Sequence, residues 1–212
     1  VYNACDPFFQ KKETDTTGTL SSLGISKAFI LYVGEADERK NLPRLIQAFA
    51  LLPEELRNEY QLVLAGKLPD ENIRRLGQTA FASGLNAENC IFTGYVSDED
   101  LLALYSACVL FVFPSWHEGF GLPPLEAMAC GTPVLTSNSA SLPEVVGDAA
   151  LMADPENTQD IADQMRALVT DDALRRTLRE KGLRRVREFT WQRTAERTAE
   201  VYRQTCRDIG KP

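Results

Sequence analysis

Val109-Leu-Phe-Val-Phe-Pro-Ser-Trp-His-Glu-Gly-Phe-Gly-Leu-Pro-Pro-Leu-Glu126 opens on five consecutive apolar residues, turns through two glycines, and closes on a proline-led helix start. A strand with one wet face alternates polar and apolar side chains. An uninterrupted apolar run is instead buried on both faces, as in a parallel sheet lying between two layers of helices. Similar short runs recur at 29–33, 61–65, 90–93, 133–136 and 150–152. The segments between them, at 42–52, 69–83, 98–107, 123–129, 142–146 and 158–169, carry apolar residues at helical spacing. This alternation predicts a doubly wound, Rossmann-like α/β fold: a parallel sheet of about six strands with helices on both faces. Beyond Asp171 the pattern is purely helical, over 174–189 and 191–207, whereas the polar stretch 10–22 reads as a connector.

The 212 residues, 44% of them hydrophobic, suffice for one sizeable core. A net charge of −7 argues against a general nucleic-acid or anionic-membrane surface, so phosphate chemistry has to come from a local cluster. Cys5, Cys90, Cys108, Cys130 and Cys206 are odd in number and contain no CxxC pair. That fits neither a disulfide framework nor a zinc site and points to a reducing cytosol. Cys90 and Cys108 flank apolar runs and read as buried, inert thiols. No signal-peptide pattern is read, and no apolar run approaches the roughly 20 residues of a membrane span. The basic run from Arg175 to Arg187 has two readings, a membrane contact or the solvated face of an amphipathic helix. Leu178, Leu183, Val186, Glu180 and Glu188 interspersed through it favour the second.

In an open parallel sheet, ligands bind beyond the carboxyl ends of the strands. Three loops there are unusual. The first, Gly34-Glu-Ala-Asp-Glu-Arg39-Lys40-Asn41, places two cations ahead of a helix that Asn41 is suited to cap. Cations at the positive end of a helix dipole imply a bound anion; alternatively Glu35, Asp37 and Glu38 neutralise them at a solvated turn. The second loop is the opening stretch. Gly119 and Gly121 allow close backbone approach, and Pro123 and Pro124 suit a first helical turn whose free amides and dipole attract phosphate. The turn lets Glu118 fold back over the site. Glu126, expected in the first helical turn, has the two acceptor oxygens that a vicinal diol such as a ribose requires. The third loop, Gly94-Tyr95-Val96-Ser97, either holds a flat base or is a tight turn with Ser97 as helix cap and Tyr95 in the core.

With Gly131-Thr-Pro-Val134 and Leu142-Pro-Glu144-Val-Val-Gly-Asp-Ala149, these loops resemble the carboxyl-terminal half of a retaining GT-B glycosyltransferase of family four, the glycosyl transferases group 1, over most of 29–168. Glu118 and Glu126, with seven residues between them in a glycine–proline setting, are the most specific part of the match. The resemblance implies that Arg39 and Lys40 contact a donor diphosphate, Glu126 holds the ribose, and Glu118 positions the donor sugar. It also implies that Phe120, Gly121 and Leu122 offer main-chain amides, Tyr95 and Val96 flank the base, and Gly34, His117 and Gly119 line the site. Family members often carry arginine where this chain has Glu35, which shifts the phosphate load to Arg39 and Lys40.

The family pattern further implies a connector at 1–24, a nucleotide-sugar-binding domain at 25–189, and a helix at 190–212 returning to an amino-terminal domain outside this chain. That domain would bring a saccharide or lipid-linked acceptor, leaving this half inactive alone. The expected donor is a nucleotide sugar, GDP-mannose, with no metal or other cofactor and no nucleic-acid partner. The expected location is the cytoplasm, with peripheral contact at the inner membrane face. Two rivals remain: a nucleotide-sugar binding module without turnover, and a glycoside hydrolase, which would also use two carboxylates but has no need of the basic pair.

Overall fold

The structure, a computed structural model, describes residues 1–10 and 16–209. Six strands, β1 (Ala28–Val33), β2 (Tyr60–Ala65), β3 (Cys90–Gly94), β4 (Leu110–Phe113), β5 (Val134–Ser137) and β6 (Leu151–Ala153), form one parallel sheet in the order β3-β2-β1-β4-β5-β6. β2 and β4 are buried at every position, as their unbroken apolar runs require. The helices are α1 (Thr17–Ser22), α2 (Leu42–Ala50), α3 (Glu54–Glu59), α4 (Asp70–Ala82), α5 (Asp98–Ala107), α6 (Leu122–Ala129), α7 (Leu142–Val146), α8 (Thr158–Thr170), α9 (Asp172–Val186) and α10 (Trp191–Ile209).

Right-handed crossovers running outward in opposite directions from β1 and β4 put helices on opposite faces of the sheet. Accordingly α2 packs with α4 and α8, and α6 packs with α5, α7 and α9. The order reverses between β1 and β4, so the loops after these two neighbouring strands diverge and leave a crevice at their carboxyl ends. Beneath it Tyr32 stacks on Phe113, and Phe113 on Phe111.

The chain's beginning carries structure of its own. The connector at 10–22 contains α1, whose Thr19 hydroxyl donates to Asp100 at 3.1 Å; residues 11–15 of that stretch lie outside the described residues. The segment before it is built in: Ala4 and Cys5 are buried, and the Cys5 amide donates to the Phe189 carbonyl at 3.2 Å. α9 buries the stripe Leu178, Gly182 and Val186, with Gly182 so close to Met128 of α6 that a Cβ there would lie 3.1 Å from its side chain. Arg176, Arg179, Arg184 and Arg187 remain exposed, with Leu183 exposed among them. Cys90 and Cys108 are buried free thiols, and burial pushes Cys90 up to about 12 and Cys108 higher still. Among the described residues, no helix is long and apolar enough to cross a membrane.

Candidate functional site

The loops after β1 and β4 meet at the crevice. Lys40 Nζ lies 2.7 Å from Glu118 Oε1, with both side chains largely enclosed at 16% and 11% exposure, and 5.0 Å from the Phe113 ring centroid. Arg39 does not join this pair. It pairs instead with Asp37 at 2.8 Å in solvent, so the loop's own acids neutralise one of its two cations and not the other. That Asp37 contact holds the aspartate below its usual range.

Asn41 was expected to cap α2 with its side chain and does not. It adopts the left-handed conformation (φ 60°), and its buried amide donates to the carbonyls of Pro114 (3.1 Å) and Pro155 (2.7 Å). The Pro155 oxygen also accepts from Arg44 Nη1 (2.8 Å) and Trp116 Nε1 (3.3 Å). One carbonyl in the loop after β6 therefore ties together the loops after β1 and β4. The Trp116 amide completes the tie by donating to the Arg39 carbonyl at 2.8 Å.

At the head of α6, Gly121 has φ 111°, and a Cβ there would stand 2.6 Å from Leu142 Cδ2, so both conformation and space demand glycine. Pro123 and Pro124 have no amide hydrogen to offer. The Gly121 and Leu122 amides donate to no described residue, leaving them free at the helix tip. The loop before them is fixed by hydroxyls that sequence reasoning missed. Ser137 donates to the Ser115 carbonyl (2.5 Å), Ser139 to that of Trp116 (2.8 Å), and Ser141 to those of Glu118 and Phe120 (both 2.9 Å). Their signal was the alternation Ser137-Asn-Ser139-Ala-Ser141 directly after a strand.

Glu126 is the fifth residue of α6, one turn below the tip, not in the first turn as expected. It accepts from Tyr105 Oη at 3.0 Å. Burial raises the Glu126 carboxyl, with Asp98 and Asp6 adding to the shift and the Tyr105 bond opposing it. Burial, and then Glu126 itself, raise the phenol, which keeps Tyr105 a donor. Ser97 caps α5 through the Asp100 amide at 3.1 Å, as read. Tyr95 is 79% exposed, so the reading that put it in the core fails, while Val96 packs against the core. His117 and Gly119 are exposed on the loop, and the Phe120 ring packs between Tyr2 and Phe189. Gly34 crosses beneath: a Cβ on Gly66 would lie 2.1 Å from the Gly34 carbonyl oxygen.

A six-stranded parallel sheet with this reversal, this glycine–proline helix head and these crevice loops defines the chain as a carboxyl-terminal domain of the GT-B glycosyltransferase class. It aligns along 97% of the carboxyl-terminal domain of a glycosyl transferase group 1 protein, LpcC of Francisella tularensis (TM-score 0.75, 24% identity, 87% of this chain). It also aligns with HepE of Anabaena, solved with UDP and glucose (TM-score 0.84, 22% identity, 96% of this chain and 56% of that one). The sequence profile of the glycosyl transferases group 1 matches residues 21–185, and the chain belongs to that family. It is 47% identical over 174 residues to the serotype-specific mannosyltransferase WbdA of Escherichia coli, covering 82% of this chain and 21% of that protein. It is 41% identical over 179 residues to the O-antigen chain mannosyltransferase B of Escherichia coli, covering 84% and 46%. The chain thus spans less than half the length of either relative.

Proposed function

We propose that this chain is the donor-binding part of a retaining hexosyltransferase that moves mannose from GDP-mannose to a saccharide or lipid-linked acceptor. The observation that carries the reading is the meeting of Lys40 and Glu118, from loops after two different strands, together with the free Gly121 and Leu122 amides at the head of α6. The mannosyltransferase relatives support the choice of sugar. A hydrolase has no use for a cation ahead of one helix and free amides at the head of another.

In this reading Lys40 and the Gly121 and Leu122 amides stabilise the charge that develops on the leaving diphosphate, and Arg39 joins them by leaving its solvent-side pair with Asp37. Electrostatic stabilisation of this kind needs no divalent cation. Glu118, held by Lys40, orients the hydroxyls of the transferred sugar. Glu126 accepts from the ribose diol, Tyr95 and Val96 flank the base, and Phe120, His117, Gly119 and Gly34 shape the walls through main chain and close approach. The exposed apolar residues of α10, Trp191, Val201 and Tyr202, suit a helix that returns to an acceptor domain beyond this chain. Charge is also segregated: residues 172–212 carry 12 Lys/Arg against 6 Asp/Glu, and residues 1–171 carry 11 against 24. Peripheral contact with an anionic membrane, the less favoured reading of the basic 175–187 run, would use this basic end.

Calorimetric titration tests the central assignment. GDP-mannose binds in preference to UDP- and ADP-sugars, and Lys40→Ala weakens it about tenfold, roughly 1.4 kcal/mol. Unchanged affinity in that variant removes Lys40 from the site and the proposed role with it.

A further inference from the structure

A second concavity lies on the far side of the 34–41 loop from Glu118, between α2 and α4. It encloses about 440 Å³, within the range of about 300 to 1,000 Å³ that small-molecule sites occupy. Its apolar surface comes mainly from Pro43 and Trp116 over the almost fully buried Leu42 and Leu76, and Gln47, Asn72, Arg75 and Thr79 line it with polar groups. The Trp116 ring is 41% exposed yet fixed, tethered through Nε1 to Pro155 and covered by the Arg44 guanidinium 5.6 Å from its centroid. Asp37 is already paired with Arg39, and Glu38 offsets one of Arg44 and Arg75, so the lining carries no strong field of one sign to select an ion. A neutral ligand suits this lining, with one apolar face to lie against Pro43 and the exposed part of Trp116, and a rim of hydroxyls to bond with the planar amides and guanidinium. A pyranose ring has that form.

We propose that this concavity is a saccharide subsite for neutral hexopyranosides, distinct from the donor crevice. Its role as a hold on the acceptor glycan rests on the function proposed above; its ligand class rests on the concavity alone. Asn72 donates to the Ala36 carbonyl at 3.0 Å and Trp116 to that of Arg39, so the walls of the subsite also brace the loop that presents Lys40. A chain of sugars seated here would lie one loop away from the point of transfer.

The test is an NMR titration of ¹⁵N-labelled protein with methyl α-D-mannopyranoside and with mannobiose, reading the Trp116 indole N–H. A saturable shift at millimolar sugar is expected. Thr79→Arg, which fills the concavity from an exposed turn of α4, weakens the sugar at least about tenfold and leaves GDP affinity within about twofold of the parent. Arg75→Ala, which keeps the concavity open and removes one rim donor, gives a smaller loss in the same direction. An indole resonance unmoved by either sugar, or equal sugar affinity in Thr79→Arg with GDP binding intact, overturns the proposal. Failure of GDP to bind while the indole still responds to sugar sinks the nucleotide reading and leaves this one standing.

Discussion

One turn below the tip of α6, the Glu126 carboxylate is held by the buried Tyr105 phenol in surroundings that disfavour its charge. Its folded pKa lies above the unfolded one, so the folded state binds the proton more tightly. The resulting stability is present below the unfolded value and is lost as pH rises through the folded value. Glu126→Gln keeps an acceptor for Tyr105 and removes the charge. It should therefore raise the thermal midpoint at pH 7, with the gain shrinking toward zero at pH values where both forms of the wild-type carboxyl are protonated, while nucleotide affinity falls. A pH-independent midpoint difference would show that charge is not the cause. Lys40 and Glu118 differ in kind, since each compensates the other. Removing either leaves an enclosed partner unpaired, so their effects will not add.

At the scale of elements, the six strands were legible because runs such as Leu110–Phe113 leave no polar position to face water. α3, with the sequence Glu-Glu-Leu-Arg-Asn-Glu, was invisible because one leucine makes no stripe, and α1 was missed for the same reason. Lys40 and Glu118 stand out in the sequence as charges in loops after two neighbouring strands, and the structure brings those two together. Asn41 misled because an asparagine before a helix is usually its cap. Its φ of 60° turns the amide inward instead, and nothing in the local sequence announces that. The serine brackets were passed over because small hydroxyl residues after a strand look like any loop. The head of α6 yields a sharp expectation: Gly121→Ala combines a strained φ with a Cβ 2.6 Å from the buried Leu142 side chain. It should cost about 1 to 3 kcal/mol in urea unfolding, with a parallel loss of nucleotide binding. Wild-type stability in that variant would mean the turn relaxes freely.

Across the whole molecule, the negative bulk and the basic end form an electric dipole that net charge conceals. Vesicles of phosphatidylglycerol should float the protein at low salt and release it near 1 M salt, where the screening length falls to about 3 Å. Replacing Arg176, Arg179, Arg184 and Arg187 together with glutamine should abolish flotation without altering nucleotide affinity, and flotation that persists would assign the contact elsewhere. The Pro155 carbonyl has a different reach. Three side chains, from the loop after β1, from α2 and from the loop after β4, converge on an oxygen that every amino acid possesses. Substitution at 155 can reshape the ring but cannot erase the acceptor, so relatives are free to vary that letter while keeping the knot. Only changes at the donors can untie it, and inheritance of this joint is to be sought at Asn41, Arg44 and Trp116.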